Sequence, residues 1–475
     1  MWRRAASGAR PRTGLLLGLI TGLVYFAGTV YWTGDVMARY GGLSLPIAAA
    51  VAGLLVAYLA LFPAAFGYIT FRLMRYYGAR ALLLAPFVWT ATEYGRLALF
   101  GGFPWVLLGY SQVPILPIAQ MASITGVFGV SCLLTAASAA LAWLVLGRGR
   151  LRLPVPLAML VLVAAIGAWG WARVSHQRLV SAGRPLRVGI VQGNVAQDDT
   201  WQSTLSTDIF ERYLQLTREV IAKGATLVAW PESATPFYFG APGPETTRLR
   251  ELASTTHTAL LIGSDQWASG APGIPRRIYN AAFLVAADGT TAGVYRKVHL
   301  VPFGEYVPLQ QVFFFAAPLV EAVSDFSPGT EVNTLPVGTN RISTAICYEV
   351  VYPALIREGV LGGSELLTTI TNDAWFGRSS APWQHFEMAT MRAIEEGRYL
   401  VRSANTGISG VVDPYGRVVF ASDLFVTGAW VADVRLIDER TVYADIGDAI
   451  AWVSIALTAL GLAAAVWNGR RGAGV

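Results

Sequence analysis

Three reactive side chains in the second half of the chain each adjoin an apolar, strand-like stretch. Glu232 follows the run Thr226–Trp230 and a proline, Cys347 ends a run of the same kind, and Lys297 precedes a loop marked by proline and glycine. A carboxylate can act as a general base, a lysine can stabilise an oxyanion, and a thiol is a strong nucleophile once deprotonated. The three residue types together favour nucleophilic acyl transfer.

Each of these residues also has a structural interpretation. A glutamate after a strand is often a surface charge, and a lone cysteine such as Cys347 is often a small buried hydrophobe. A Cys–His dyad that uses His299 or His385 is an alternative that spacing alone leaves open. None of the four histidines lies in a metal-ligand pattern such as H-E-x-x-H, so the sequence predicts no metal site.

The composition of the chain predicts a large membrane-embedded part. Of the 475 residues, 54% are hydrophobic and only 14% are charged, whereas soluble domains carry roughly 25% charged residues. Only two of the 30 acidic residues, Asp35 and Glu93, precede residue 186. The net charge of +6 comes largely from arginines between apolar runs, so it is no signal for nucleic-acid binding.

Six apolar segments approach the length of about 20 residues that a spanning helix needs. They predict a helical bundle over residues 1–172, a polar domain over 173–448, and a last helix with a short tail over 449–475. The first segment is long and lacks a clear cleavage site, which predicts an uncleaved anchor. The candidates are Gly14–Tyr31, Pro46–Thr70, Ala81–Phe100, Ala122–Leu146, Pro154–Trp171 and Ile450–Trp467.

Four arginine clusters predict the orientation of these spans. Cytoplasmic loops of membrane proteins carry an excess of Lys and Arg, and one threading places all four clusters in the cytoplasm. That threading leaves residues 173–448 on the outer side, in the periplasm of a bacterium. The clusters begin at Arg3, Arg72, Arg148 and Arg470.

The polar domain alternates short apolar runs with helical patterns, which predicts an α/β unit with helices covering its sheets. The strand candidates are Leu186–Gln192, Thr226–Trp230, Ile342–Cys347 and Leu366–Thr371. The helix candidates are Thr207–Lys223, Pro244–Thr255 and Trp383–Tyr399. In the third predicted span, Glu93 and Arg96 are three residues apart, which predicts an ion pair on one helical face.

The motifs around the reactive residues, taken together, resemble the nitrilase superfamily and, within it, the apolipoprotein N-acyltransferase family. The order Glu232, Lys297, Cys347 carries the first resemblance. Motifs along nearly the whole chain carry the second: GFPW at 102–105, GYSQ at 109–112, VQGN at 191–194, WPES at 230–233, KVHLVPFGE at 297–305, ICYE at 346–349, TNDAWFG at 371–377, WQHF at 383–386 and RSANTG at 402–407.

The resemblance implies a membrane α-helical bundle joined to a periplasmic nitrilase-like αββα sandwich. It implies Glu232 as general base, Lys297 as oxyanion donor and Cys347 as nucleophile in a ping-pong reaction. Other positions are expected to support the site or to bind substrate. Those supporting the site are Glu305, Tyr348 and Glu349, and those expected to bind substrate are Trp201, Trp375 and Phe376; the aromatic loop 312–315 is a further candidate for lipid contact.

The resemblance also implies the substrates. The acyl donor is expected to be a phospholipid, most simply phosphatidylethanolamine, and the acceptor the α-amino group of the S-diacylglyceryl cysteine of an apolipoprotein. No cofactor is expected, and the location is the bacterial inner membrane. The family has about eight membrane helices against the six predicted here, so a shorter or late-assigned N-terminus is expected.

Three other functions compete with this interpretation. A membrane-tethered amidase of the nitrilase type would keep the same three residues but would not need several spans. A transporter or channel would place polar residues throughout its spans, whereas the spans here carry essentially only Glu93 and Arg96. A non-enzymatic scaffold would have no use for the three reactive groups.

Overall fold

The computed structural model describes residues 10–147, 149–196, 204–268, 277–302, 304–306 and 326–471. They form two compact units. The first consists of the described parts of 1–38, 43–176 and 445–475, and the second of residues 39–42 and the described parts of 177–444.

The described helices and strands are numbered in chain order. The helices are α1 Pro11–Thr29, α2 Trp32–Arg39, α3 Leu45–Tyr77, α4 Ala85–Ala98, α5 Leu116–Ala119, α6 Ala122–Leu146, α7 Pro154–His176, α8 Arg178–Ala182, α9 Ser206–Ala222, α10 Pro244–Thr256, α11 Pro353–Leu361, α12 Ala381–Glu396, α13 Val442–Ile446 and α14 Ala449–Arg471. The strands are β1 Arg184–Gln192, β2 Leu227–Ala229, β3 Ala259–Ala268, β4 Arg277–Val285, β5 Thr291–Arg296, β6 Leu335–Val337, β7 Asn340–Ile346, β8 Leu366–Thr371, β9 Leu400–Ala404, β10 Gly410–Val412, β11 Val418–Ala421 and β12 Gly428–Leu436.

Five helical segments among the described residues are long and apolar enough to cross a membrane, whereas the sequence predicted six. They are Pro11–Thr29, Leu45–Leu83, Ala122–Leu146, Gly149–Ala182 and Ala449–Trp467. The predicted span at 81–100 is wrong in its length, because a 3₁₀ turn occupies Gly78–Leu83 and α4 has only 14 residues. At 1.5 Å per residue, α4 is about 21 Å long, which is less than the roughly 30 Å of a bilayer core.

Helices α1 and α3 pack in close backbone contact through glycines spaced four residues apart. A Cβ atom at Gly14 would lie 2.3 Å from the carbonyl oxygen of Gly67, and one at Gly18 would lie 2.1 Å from that of Pro63. Small residues at this spacing let membrane helices approach closely, so that van der Waals packing holds them together where no hydrophobic effect can act. The apolar sequence therefore specifies a definite helix pair.

Glu93 and Arg96 form the predicted pair inside the first unit. The carboxylate of Glu93 lies 3.9 Å from the guanidinium of Arg96, and both side chains are buried. Glu93 also accepts a hydrogen bond of 2.7 Å from the backbone N–H of Leu108, and Arg96 donates one of 2.7 Å to the carbonyl of Trp105. The pair thus fixes the non-helical chain that follows α4, where backbone groups need partners in an apolar surrounding.

The second unit contains two six-stranded mixed sheets. Their strand orders are β12-β1-β2-β3-β4-β5 and β11-β10-β9-β8-β7-β6. The sheets face one another, as the 2.9 Å hydrogen bond from the hydroxyl of Ser403 to the carbonyl of Val191 shows. Helices α9 and α10 bury Phe210, Tyr213 and Leu249 in the core of the first sheet, and α11 and α12 pack on the second. The αββα arrangement and the predicted strands and helices are confirmed.

Parallel pairing brings the strand ends that carry chemistry to common edges. Strands β1, β2 and β3 are parallel to one another in the first sheet, and β7, β8 and β9 are parallel in the second. Glu232 follows β2, Cys347 follows β7, and Asn372 follows β8. Carboxyl ends of parallel strands are where α/β folds collect functional groups.

Candidate active site

Lys297 lies between two carboxylates at the centre of the site. Its ammonium Nζ is 2.8 Å from Oε1 of Glu305 and 3.3 Å from Oε1 of Glu232, and the lysine is 1% exposed. Burial lowers the pKa of Lys297, but the charges of Glu305 and Glu232 outweigh it and hold the pKa above its ordinary value. The lysine is therefore a permanent cation in a site closed to water.

Asn280 on β4 links the same two carboxylates. Its Nδ2 donates to Oε1 of Glu232 at 2.7 Å and to Oε1 of Glu305 at 3.3 Å. Glu232, Asn280, Lys297 and Glu305 are called the carboxylate–lysine cluster below. A buried charge needs both a partner and hydrogen bonds. The ammonium of Lys297 and the amide of Asn280 supply these to both buried carboxylates.

Glu232 owes its position to close backbone packing. Its Oε2 accepts a hydrogen bond of 2.8 Å from the backbone N–H of Asn372 in the opposite sheet. Gly263 on β3 lies directly against this turn, and a Cβ there would come 2.0 Å from the carbonyl oxygen of Pro231. Only glycine fits at Gly263, so the carboxylate reaches across the two sheets from a fixed turn.

Cys347 is the first residue after β7 and has a strained backbone. Its φ of +51° lies in the left-handed region, which costs a residue other than glycine about 1–3 kcal/mol and is concentrated at functional sites. The residue is 8% exposed. Burial raises the pKa of the thiol, the charge of Glu232 raises it further, and Lys297 opposes them, so at neutral pH the resting group is the thiol.

Glu349 connects the turn that carries Cys347 to the loop that carries Lys297. Its Oε2 accepts from the backbone N–H of Ile346 at 2.7 Å, and its Oε1 accepts from the backbone N–H of Val298 at 2.7 Å. The hydroxyl of Tyr295 donates to the same Oε1 at 2.8 Å. Burial raises the pKa of Glu349 to about 7. This carboxylate therefore fixes the separation of the segments that carry Lys297 and Cys347.

The aromatic residues predicted to bind substrate lie in different surroundings. Trp201 and the loop 312–315 lie outside the described residues. Trp375 is half-buried and its ring packs 4.8 Å from that of Tyr40. Phe376, also half-buried, meets the ring of His385 edge-on at 6.0 Å. Tyr348, predicted as a supporting residue, is buried.

The histidines of the two alternative Cys–His dyads both contact the segment 347–352. The ring of His385 contacts the backbone of Cys347, with Nε2 3.1 Å from the carbonyl oxygen. The ring of His299 packs against that of Tyr352 at 3.7 Å. Among the described residues, no group of three or more His, Cys, Asp or Glu is arranged to hold a metal ion.

Several residues of the site could not be identified from their type or spacing. Asn280 gave no sequence signal, because an asparagine within a strand pattern is unremarkable. Asn372, Asp373 and Arg402 lie within matched motifs, but nothing in the motifs predicted which backbone or side-chain group each one holds. Their partners lie in segments distant along the chain, so only the fold brings them together.

Two family models match the chain. Residues 187–443 match the carbon-nitrogen hydrolase model, and residues 1–140 match the apolipoprotein N-acyltransferase N-terminal domain. A solved structure from Saccharomyces cerevisiae, Nit3 of the nitrilase superfamily, aligns with 53% of this chain and 90% of its own at 19% identity and a TM-score of 0.42. The match to the carbon-nitrogen hydrolase model and the two-sheet fold assign the second unit to the carbon–nitrogen hydrolases.

Curated relatives narrow the assignment. Three of them carry the name apolipoprotein N-acyltransferase. The relative from Geobacter metallireducens is 38% identical over 94% of this chain and 86% of its own length, and the relative from Methylococcus capsulatus is 36% identical over 95% of this chain and 87% of its own. The relative from Nitrosomonas europaea is 34% identical over 99% of this chain and 92% of its own. The chain belongs to the apolipoprotein N-acyltransferase family. It is an acyltransferase with membrane-type helices, and the amidase alternative is not favoured.

Proposed function

We propose that this acyltransferase moves an acyl chain from a phospholipid to the α-amino group of the S-diacylglyceryl cysteine of an apolipoprotein, through a thioester on Cys347. The observation that supports this most strongly is the buried ammonium of Lys297, held by Glu232 and Glu305 in the unit where Cys347 ends its strand. Phosphatidylethanolamine is the proposed donor.

In the first half-reaction, the sulfur of Cys347 attacks the ester carbonyl carbon of the phospholipid while its proton passes to Glu232. Lys297 and a backbone N–H beside Cys347 stabilise the oxyanion, which is usually the largest single contribution to catalysis. The intermediate then breaks its ester C–O bond. The leaving lysophospholipid oxygen takes the proton from Glu232, and the acyl chain remains on the sulfur.

In the second half-reaction, the α-amino group of the lipoprotein attacks the thioester carbonyl. Glu232 takes a proton from the attacking nitrogen, and the same donors hold the second oxyanion. Collapse breaks the C–S bond, and the sulfur of Cys347 recovers its proton from Glu232. The products are an amide and the resting thiol, so every proton is accounted for.

The electrostatics favour proton transfer during the attack rather than a preformed thiolate. Burial and the charge of Glu232 raise the pKa of Cys347, so the thiolate is scarce before substrate binds. The carboxylate that disfavours the thiolate is the group that accepts its proton. The neutral thiol is a weak nucleophile and resists stray alkylation, and a water-poor site protects the thioester from hydrolysis.

The same proposal covers location and the roles of the flanking residues. The chain would lie in the bacterial inner membrane, with residues 1–172 and 449–475 as the membrane part and 173–448 in the periplasm. The arginine clusters and the five long apolar segments support this. Trp201, Trp375 and Phe376 would contact the acyl chain, and Tyr348 would shape the pocket.

Intact-mass analysis of the full chain in detergent, incubated with phosphatidylethanolamine and no acceptor, tests the proposal. We expect a mass increase of one acyl group that hydroxylamine removes. Cys347→Ala should show none, whereas Cys132→Ala, which changes the other free cysteine, should behave like the wild type. Adding a diacylglyceryl peptide should discharge the adduct onto the peptide. A folded wild type without an adduct that instead hydrolyses a soluble amide would overturn the proposal.

A further inference from the structure

His385 on α12 is completely buried and contacts the turn Cys347–Val351, called the nucleophile turn below. Its Nε2 lies 3.1 Å from the carbonyl oxygen of Cys347. On the other side of the ring, Nδ1 lies 3.0 Å from Oδ1 of Asp373 and 3.0 Å from the guanidinium NH2 of Arg402. Asp373, His385 and Arg402 are called the histidine cluster below. None of them is assigned a role in the mechanism described above.

The partners of the ring fix its tautomer. A carbonyl oxygen can only accept a hydrogen bond, so Nε2 must carry the proton. Burial and the neighbouring Arg402 lower the pKa of His385, which leaves the ring neutral and Nδ1 unprotonated. The Arg402 cation then donates both to Nδ1 and to Oδ2 of Asp373, the latter at 2.7 Å. It bridges two acceptors that would otherwise repel each other.

The histidine cluster is itself held rigidly. The hydroxyl of Thr371 donates to Oδ1 of Asp373 at 2.9 Å, and Nε of Arg402 donates to the carbonyl of Ile408 at 3.1 Å. Burial raises the pKa of Asp373, but the charge of Arg402 outweighs it and holds the pKa below its usual range. The ring therefore sits in one orientation, with Nε2–H directed at the nucleophile turn.

The hydrogen bond from His385 acts on the strained residue of the site. Cys347 has a φ of +51°, a conformation that persists only when the surroundings impose it. On one side, Glu349 holds the backbone N–H of Ile346 at 2.7 Å. On the other side, the carbonyl of Cys347 itself has His385 as its partner. The backbone is thus held at the residue before the nucleophile and at the nucleophile's own carbonyl.

We propose that His385 is a positioning residue that holds Cys347 in its left-handed backbone conformation through the Nε2–H bond to the carbonyl, with Asp373 and Arg402 fixing the ring. The inference rests on the proposed function because it takes the thiol of Cys347 to be the nucleophile of acyl transfer. Because His385 is buried, it touches neither substrate. Its loss changes how the thiol is aimed rather than how lipid binds.

The test compares two amides that mimic opposite nitrogens of the imidazole. In His385→Gln, the side-chain amide N–H reaches the position of Nε2, and in His385→Asn it reaches only that of Nδ1. The readout is the single-turnover rate of acyl-adduct formation on the full chain in detergent, at several phosphatidylethanolamine concentrations. We expect His385→Gln to stay within about tenfold of the wild-type maximal rate. A 1 Å misplacement can cost about 10²-fold, and we expect that loss in His385→Asn, with the half-saturating lipid concentration unchanged in both.

Two controls separate positioning from folding and from the proposed function. His257→Asn changes an exposed histidine at the opposite end of β3 from the site and should match the wild type, and thermal unfolding should show similar midpoints for the Gln and Asn variants. Alkylation of Cys347 by iodoacetamide should also be slower in His385→Asn than in His385→Gln. If the alkylation rates differ in this way but the wild type forms no acyl adduct, His385 positions Cys347 and the proposed acyl transfer is wrong. Equal maximal rates in the Gln and Asn variants would overturn the inference.

Discussion

Replacing Lys297 with methionine removes the only cation in the carboxylate–lysine cluster and leaves an unbranched side chain one atom shorter. Glu232 and Glu305 then face each other with the amide of Asn280 as their shared donor. Both carboxylates are buried, so water cannot replace the lost ammonium. The variant should be less stable and, for a separate reason, inactive.

The structure sets the size of both effects. Removing one partner of a buried ion pair costs about 3–5 kcal/mol. With about 2–4 °C per kcal/mol for a domain of this size, the unfolding midpoint should fall by about 6–20 °C. The loss of an oxyanion donor should lower the rate of acyl-adduct formation by about 10²–10³-fold.

A second substitution separates the two effects. Adding Glu305→Gln to Lys297→Met removes one of the two facing carboxylates, and the coupling between contacting residues should return about 1–3 kcal/mol of stability. It should restore no activity, because the oxyanion still lacks Lys297. Glu305→Gln alone should destabilise, since it takes a carboxylate from a buried ammonium at 2.8 Å.

The assay is thermal unfolding of the full chain in detergent, with acyl-adduct formation measured on the same samples. Strict additivity of the two substitutions would show that the carboxylates do not share the ammonium. An unchanged rate of adduct formation in Lys297→Met would remove the oxyanion role of the lysine.

Two further predictions concern the nucleophile and the helix pair. The raised pKa of Cys347 predicts that its alkylation by iodoacetamide still accelerates above about pH 9.5, whereas glutathione, with an ordinary thiol pKa of about 8.5, levels off about one pH unit above that value. A plateau at or below about pH 9.5 for Cys347 would contradict the electrostatics described here. Gly18→Ala places a methyl group 2.1 Å from the carbonyl of Pro63, whereas the matched Gly28→Ala meets nothing within 4 Å. We expect only the former to lower the unfolding midpoint, by the equivalent of about 1–3 kcal/mol, and equal midpoints would argue against the close α1–α3 contact.

The hydrophobic pattern was sufficient to predict the long helices and four of the described strands. Strand runs such as Leu366–Thr371 carry no charged residue because they are buried on both faces, and long apolar helices have a length set by the bilayer. The length criterion failed at 81–100, where composition is apolar but 3₁₀ turns at Gly78–Leu83 and Leu99–Gly101 confine the α-helix to Ala85–Ala98. Composition records burial, whereas helix length also depends on local backbone conformation.

The sequence by itself determined the residue types of the site and their attachment to strand ends. Glu232, Lys297 and Cys347 were identified because three reactive residue types adjoin apolar, strand-like runs and the surrounding motifs are specific.

Only the tertiary structure decided how these residues are supported. Asn280, Glu349 and His385 act through hydrogen bonds to groups far away along the chain, and such bonds leave no local periodicity for a sequence to display. The strained φ of Cys347 likewise follows from the bonds on either side of it rather than from the cysteine. The pattern of residues defines which chemistry is available, and the folding of two sheets against each other determines which atoms meet.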